Sequence, residues 1–250
     1  GLGTESITLS DTSLAASVLN TLNGNTTGNI NADTVTTLTG SITDLNTAYT
    51  ASAATGDGIS NLGNEAITLS DTSVTDVAAL NTLNGNTTGN IDAGTNVTSF
   101  TGSISDLNTM FAAAGDSGDK IDFGGTGGAA TQTVTITDTT DVSVTDLNTL
   151  NSNTTGNIDA TNVTSLASAS ISDIKTLLTN GNNTTNNFAA TSFQSLATVA
   201  VSGTSISVAD LNDSITQANT ATGGTTTLFS VDSGATITTG DEAAFTTLLT

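Results

Sequence analysis

One phrase recurs three times along the chain, as Gly28-Asn-Ile-Asn-Ala, Gly89-Asn-Ile-Asp-Ala and Gly156-Asn-Ile-Asp-Ala. Each copy follows the same lead-in, Leu-Asn-Thr-Leu-Asn-x-Asn-Thr-Thr, from Leu19, Leu80 and Leu147. Each is followed by a Val-Thr-x-(Leu/Phe) step and then by a Ser-Ile-x-Asp segment. Self-similarity of this kind builds repeats that bury their apolar faces on one another and not in separate globules. The opening Gly1–Ser13 reappears at Asn61–Ser73, so the chain starts partway through a repeat. That start reads as an excised segment, or as a subunit whose ends are not special.

An apolar anchor in each Asp-Leu-Asn-like segment marks the repeats: Leu19, Leu45, Leu80, Leu107, Leu147, Ile174, Leu211 and Phe245. The first six gaps alternate short and long, at 26, 35, 27, 40, 27 and 37 residues. We read about eight coils in pairs, 7–66, 67–133 and 134–200, with loops inserted in alternate coils. Residues 1–200 then form a repeat array, and 201–250 a degenerate repeat or terminal cap.

Within a coil, Gly28–Ala32 and Val134–Ile136 alternate apolar and polar residues as strands do. The three-residue spacing of Val35, Leu38 and Gly40 suits either a helical turn ended by Gly or a bulged strand. Ser41-Ile-Thr-Asp44 and its copies at Ser103, Ser143, Ser170 and Ser207 predict helix starts, with Asp in the place of the capping-box Glu. Ile42, Leu45 and Tyr49 then share one helical face, as do Ile104, Leu107 and Phe111. Such short helices are not stable alone and must dock on the strands. The expected fold is mainly β with short helices, a β-solenoid-like repeat.

Charge removes several function classes. Two basic residues, Lys120 and Lys175, stand against 23 acidic ones, for a net charge of −21. Nucleic acid and anionic membrane surfaces would be repelled, and no stretch is long enough to span a bilayer. With no His and no Cys, the common nucleophile–base pairs are missing. No carboxylate pair differs from its repeats, so an enzyme is not expected. Thr is spread through turns and helices and not confined to one strand position, which argues against an ice-binding face. Asn25-Thr-Thr, Asn86-Thr-Thr and Asn153-Thr-Thr match the N-glycosylation acceptor, and turn chemistry accounts for them equally well.

Calcium is the one cofactor the sequence suggests. Asp116, Asp119 and Asp122 lie at three-residue spacing in a Gly-rich insert, Gly115–Gly128, and hard cations take such oxygen ligands. This stretch resembles one imperfect copy of the calcium-binding nonapeptide of RTX proteins. A flexible acidic loop is the plainer reading. Asp33, Asp92 and Asp159 form a repeated row that reads as solvated or turn-capping.

The strings Gly63-Asn-Glu-Ala-Ile-Thr-Leu-Ser-Asp-Thr-Ser73, Leu80-Asn-Thr-Leu-Asn-Gly-Asn-Thr-Thr-Gly89 and Val35-Thr-Thr-Leu-Thr-Gly40 resemble repeats of giant cell-surface proteins of marine cyanobacteria. The resemblance covers roughly Gly1–Leu177. It implies an extracellular or cell-surface location and a structural or adhesive role, with no catalytic motif. The expected function is an extracellular structural repeat protein that joins end to end, with copies of itself, into a filament or surface layer. The alternative is a calcium-dependent adhesion or binding module of a giant adhesin, whose partners would be cell-surface glycans or other cells.

Overall fold

The computed structural model describes residues 1–53, 58–114, 120–124, 130–181, 187–189, 192–224 and 227–238. Within them, seven helices of 9–14 residues alternate with short strands, and the strands pair in parallel. This corrects the expectation of a mainly β, solenoid-like fold: the class is α/β. The physical reason lies in the lead-in phrase. Leu-Asn-Thr-Leu spaces its leucines by three, so Leu80 and Leu83 fall on one buried helical face, as do Leu147 and Leu150. Strands, by contrast, run only two to six residues, so the helices take the larger share of the chain.

Two compact bodies are present. The first comprises Gly1–Phe100 and Thr109–Gln132; the second comprises Thr101–Asn108 and Thr133–Thr250. The first body holds β1 (Ile7–Thr8), β2 (Ser13–Ala15), α1 (Ala16–Asn25), β3 (Ile30–Asn31), β4 (Thr37–Gly40), α2 (Ile42–Ala53), β5 (Ile59–Ser60), β6 (Ala66–Leu69), β7 (Ser73–Val74), α3 (Val77–Asn86) and β8 (Ile91–Asp92). The division between bodies falls within β9 (Ser99–Gly102) and α4 (Ile104–Ala112), and β10 (Ile121–Asp122) returns to the first. The second body continues with β11 (Thr133–Ile136), α5 (Val144–Asn153), β12 (Ile158–Asp159), β13 (Ser165–Ser170), α6 (Ile171–Gly181), β14 (Thr198–Ser202), β15 (Ser205–Ser207), α7 (Val208–Ala221), β16 (Leu228–Val231) and β17 (Thr236–Thr238).

Strand register follows two rows. In the first row Ile7, Ile30 and Ile59 are neighbours, as are Ile67, Ile91 and Ile121. In the second, Leu14 pairs with Leu38 and Val74 with Phe100. Ile67 belongs to both rows, because Leu38 is its partner on one side and Ile91 on the other. Val199 repeats this in the second body, between Leu166 and Phe229. The longer gaps between anchors therefore do not hold only loops. They carry a third strand position, filled by β5, by β10 and by the bridge of Phe188 to Ile158.

Residues of the repeated phrases have specific tasks. Leu19, Leu45, Leu80, Leu107, Leu147, Ile174 and Leu211 are all buried on helices; Phe245 lies outside the described residues. The step that read as turn or bulge is a strand, with Leu38 buried at its centre. Thr26, Thr87 and Thr154 are buried, and each hydroxyl accepts from the N–H of the glycine two residues on, at 2.9 Å. That local turn explains the Asn-Thr-Thr-Gly string. Gly28 and Gly89 are required by close approach: a Cβ there would overlap the carbonyl of Glu5 or Glu65.

Gly89→Ala is expected to lower the unfolding free energy by about 3 kcal/mol, because the obstacle is backbone and cannot swing aside. Urea denaturation of the variant and parent checks this.

Candidate functional site

Each repeat supplies polar groups to its neighbour, and the site follows from where that supply runs out. Ser41 Oγ accepts from the Asp44 N–H at 3.1 Å and donates to Asp44 Oδ2 at 2.9 Å. Ser103 and Asp106 do the same at 3.1 and 2.6 Å. The carboxylate thus reaches the serine hydroxyl and not its N–H as the capping box would have it. The first helical N–H takes a different acceptor. Ile42 N–H donates to Asp71 Oδ2 of the following repeat at 2.8 Å, and Ile104 N–H donates to Asp138 Oδ2 at 2.7 Å. A carboxylate at a helix N-terminus also complements the dipole.

A second contact links helix to helix. The asparagine after each of four anchors extends its amide to a carbonyl in the first turn of the next helix. Asn20 reaches Asp44 O, Asn46 reaches Ala79 O, Asn108 reaches Asp146 O and Asn148 reaches Asp173 O, at 2.9–3.3 Å. Lys175 breaks the series and instead bridges Asp210 at 2.8 Å and Asp213 at 2.9 Å. These two hydrogen-bonded carboxylates hold its ammonium above the usual lysine range.

The third contact is buried. The Tyr49 hydroxyl donates to Glu65 Oε2 at 2.9 Å, and the Gly63 N–H donates to the same oxygen at 2.9 Å. Glu65 is 1% exposed. Burial foremost, with the Glu65 carboxylate adding to it, holds the Tyr49 phenol above its ordinary range. One repeat later both partners change together. Phe111 takes the place of Tyr49, and buried Gln132 takes the place of Glu65. Phe111 packs on Phe123 at 5.2 Å, and Gln132 Nε2 donates to the Phe123 carbonyl at 3.0 Å.

Among the described residues, the contacts of Asp71 and Glu65 are not repeated in the first segment of the first body. Asp11, equivalent to Asp71, and Glu5, equivalent to Glu65, are exposed. Among the described residues β1 pairs only with β3, and β2 only with β4. The outer side of α1 carries an open groove of about 370 Å³ lined by Ser17, Val18, Thr21, Leu22 and Asn25. Among the described residues β16 pairs only with β14, and β17 only with β15. Among the described residues, the large exposed apolar side chains are Leu2, Val18, Leu228 and Ile237. All four lie on these first and last segments.

The sequence-predicted metal residues are placed in part. Asp122 is exposed in β10, and its Oδ1 accepts from Gly124 N–H at 2.7 Å. Its strand neighbour is Asp92. Asp116 and Asp119 lie outside the described residues. Asp92 and Asp159 hold turns, accepting from the N–H and hydroxyl of Thr95 and of Thr161 respectively. Asn31, and not Asp33, fills that position in the first copy, accepting from the Asp33 N–H at 3.0 Å. Among the described residues no group of three His, Cys, Asp or Glu side chains is arranged to hold a metal ion, and no helix is long and apolar enough to cross a membrane. Sequence reasoning missed the asparagine arms and the buried Glu65. The signal for the first was present, as the Asn that follows nearly every anchor.

Tyr49→Phe is expected to destabilise by about 1–3 kcal/mol, because a buried carboxylate loses a donor. Adding Glu65→Gln, which copies the Phe111–Gln132 arrangement, is expected to recover part of that loss; a double-mutant cycle by thermal or urea unfolding measures it. No family model, curated protein or solved structure matches this chain.

Proposed function

We propose that this chain is a structural repeat protein of the cell exterior that joins end to end with copies of itself into a filament or surface layer. The observation that carries the reading is the distribution of unsatisfied surface. The exposed large apolar residues among those described lie in the first and last described segments, beside strands that, among the described residues, are paired on one side only. An unprotected strand edge is a template for further pairing, and an exposed apolar patch marks an interaction surface. For Ile237 the equivalent positions, Leu38 and Ile206, are buried elsewhere in the chain. No catalytic role is proposed, and the absence of His and Cys supports that.

A calcium-dependent adhesion module, contacting surface glycans or other cells, is the second reading. It is favoured by the placement of Asp122 next to Asp92 in the segment that contains Asp116 and Asp119. Asp92 already spends both carboxylate oxygens on its own turn, which weakens this reading.

Light scattering and electron microscopy against protein concentration test the proposal. Assembly is expected to grow with concentration and with ionic strength, since a net charge of −21 makes copies repel until salt screens them. Val18→Asp is expected to reduce assembly while leaving the melting temperature within a few degrees, because Val18 is 58% exposed. Compact monomers at all concentrations would overturn the reading. Assemblies that loosen on chelation of calcium would favour the adhesion module.

A further inference from the structure

We propose that β17 of one copy pairs in parallel with β1 of a second copy, setting Ile237 opposite Ile7 and Thr238 opposite Thr8. This deepens the end-to-end reading and rests on it. The argument is that both halves of the joint already occur together inside the chain.

β17 is the equivalent of β4. Ser205, Ile206 and Ser207 pair with Thr236, Ile237 and Thr238 as Ser13, Leu14 and Ala15 pair with Thr37, Leu38 and Thr39. β1 is the equivalent of β6, because Ile7-Thr-Leu-Ser-Asp-Thr-Ser13 repeats as Ile67-Thr-Leu-Ser-Asp-Thr-Ser73. Ile7 pairs forward with Ile30 as Ile67 pairs forward with Ile91. Inside the chain, β4 and β6 are themselves partners, with Leu38 opposite Ile67 and Thr39 opposite Thr68. The second body makes the same step between Leu166 and Val199.

Exposure shows which step is incomplete. Leu38 is 0% exposed and Ile67 2%, whereas Ile237 is 38% exposed and Ile7 is half-buried. Backbone directions also match. Ile7 and Leu9 direct their N–H groups to Asn29 and Asn31 carbonyls, so alternation turns the Thr8 N–H away from β3. In the internal copy the corresponding outward groups, on Ala66 and Ser70, donate to Thr36 and Gly40 carbonyls. On β17 the Thr236 N–H faces Thr204, which turns the peptide groups of Ile237 outward. The Thr8 N–H is then the donor for the Ile237 carbonyl.

The chain contains no Cys, so single cysteines report the register directly. Thr8→Cys and Thr238→Cys proteins, both altered at exposed positions, are mixed under assembling conditions and treated with a short thiol-to-thiol cross-linker. The dimer yield is expected to exceed several-fold that of Ser10→Cys mixed with Thr238→Cys, which is two residues out of register. Separately, Thr8→Pro deletes the outward N–H and leaves the β3 pairing donors in place. It is expected to abolish assembly with little change in melting temperature. If the parent assembles but the two cross-linking yields are equal, or if Thr8→Pro assembles like the parent, the register is wrong while end-to-end assembly stands. If the parent does not assemble at all, the underlying reading fails and takes this proposal with it.

Discussion

Helix N-termini present backbone N–H groups that their own turn cannot satisfy, and at α2 and α4 the following repeat satisfies the first of them. Asp71 closes α2 and Asp138 closes α4, each from the connection after a strand, β6 or β11, about thirty residues downstream. The arrangement makes folding of one repeat conditional on the next. It also fixes the spacing of strands and helices together, because the aspartate can reach its target only when β6 lies in register beside β4. Helices this short have little stability of their own, so these cross-repeat bonds and the buried anchor leucines hold them in place.

The same logic accounts for the alternation of short and long repeats. A strand such as β6 serves two rows at once, and the chain needs an additional strand, β5 or β10, to fill the position it vacates. The seam beside it is adjustable. Tyr49 with Glu65 gives a charged, hydrogen-bonded version, and Phe111 with Gln132 gives a neutral one packed on Phe123. Lys175 is another local solution, replacing an asparagine arm with an ion pair that is partly exposed to solvent and so contributes modestly.

The period of the chain was legible from the sequence, because Leu19, Leu45, Leu80, Leu107, Leu147, Ile174 and Leu211 mark their helices without ambiguity once aligned. Fold class was not. Thr and Val dominate the phrases and carry strand propensity, yet the three-residue spacing of Leu80 and Leu83 had the greater say, and tertiary packing turned Leu-Asn-Thr-Leu-Asn into a helix. The third strand position was hidden for a different reason: Ile59-Ser60 and Ile121-Asp122 are too short to show any alternation. Of the candidate site, Asp122 could be placed from the sequence only as part of an acidic run, since nothing local shows that Asp92 sits beside it. The exposed apolar residues were invisible for the same reason. Ile237 looks like its buried equivalents Leu38 and Ile206 until its exposure is seen.

The linked change at Tyr49–Glu65 and Phe111–Gln132 bears on how such an array can lengthen or shorten over time. The repeats are similar enough to misalign during recombination. A crossover falling between the aromatic and its acidic or amide partner would create a phenylalanine against a buried carboxylate, or a tyrosine against a glutamine. Exchange elsewhere in the period carries both partners together. The sixteen-residue span from Tyr49 to Glu65 is therefore a stretch in which breakpoints should be depleted, and the viable unit of gain or loss is one that keeps each pair whole.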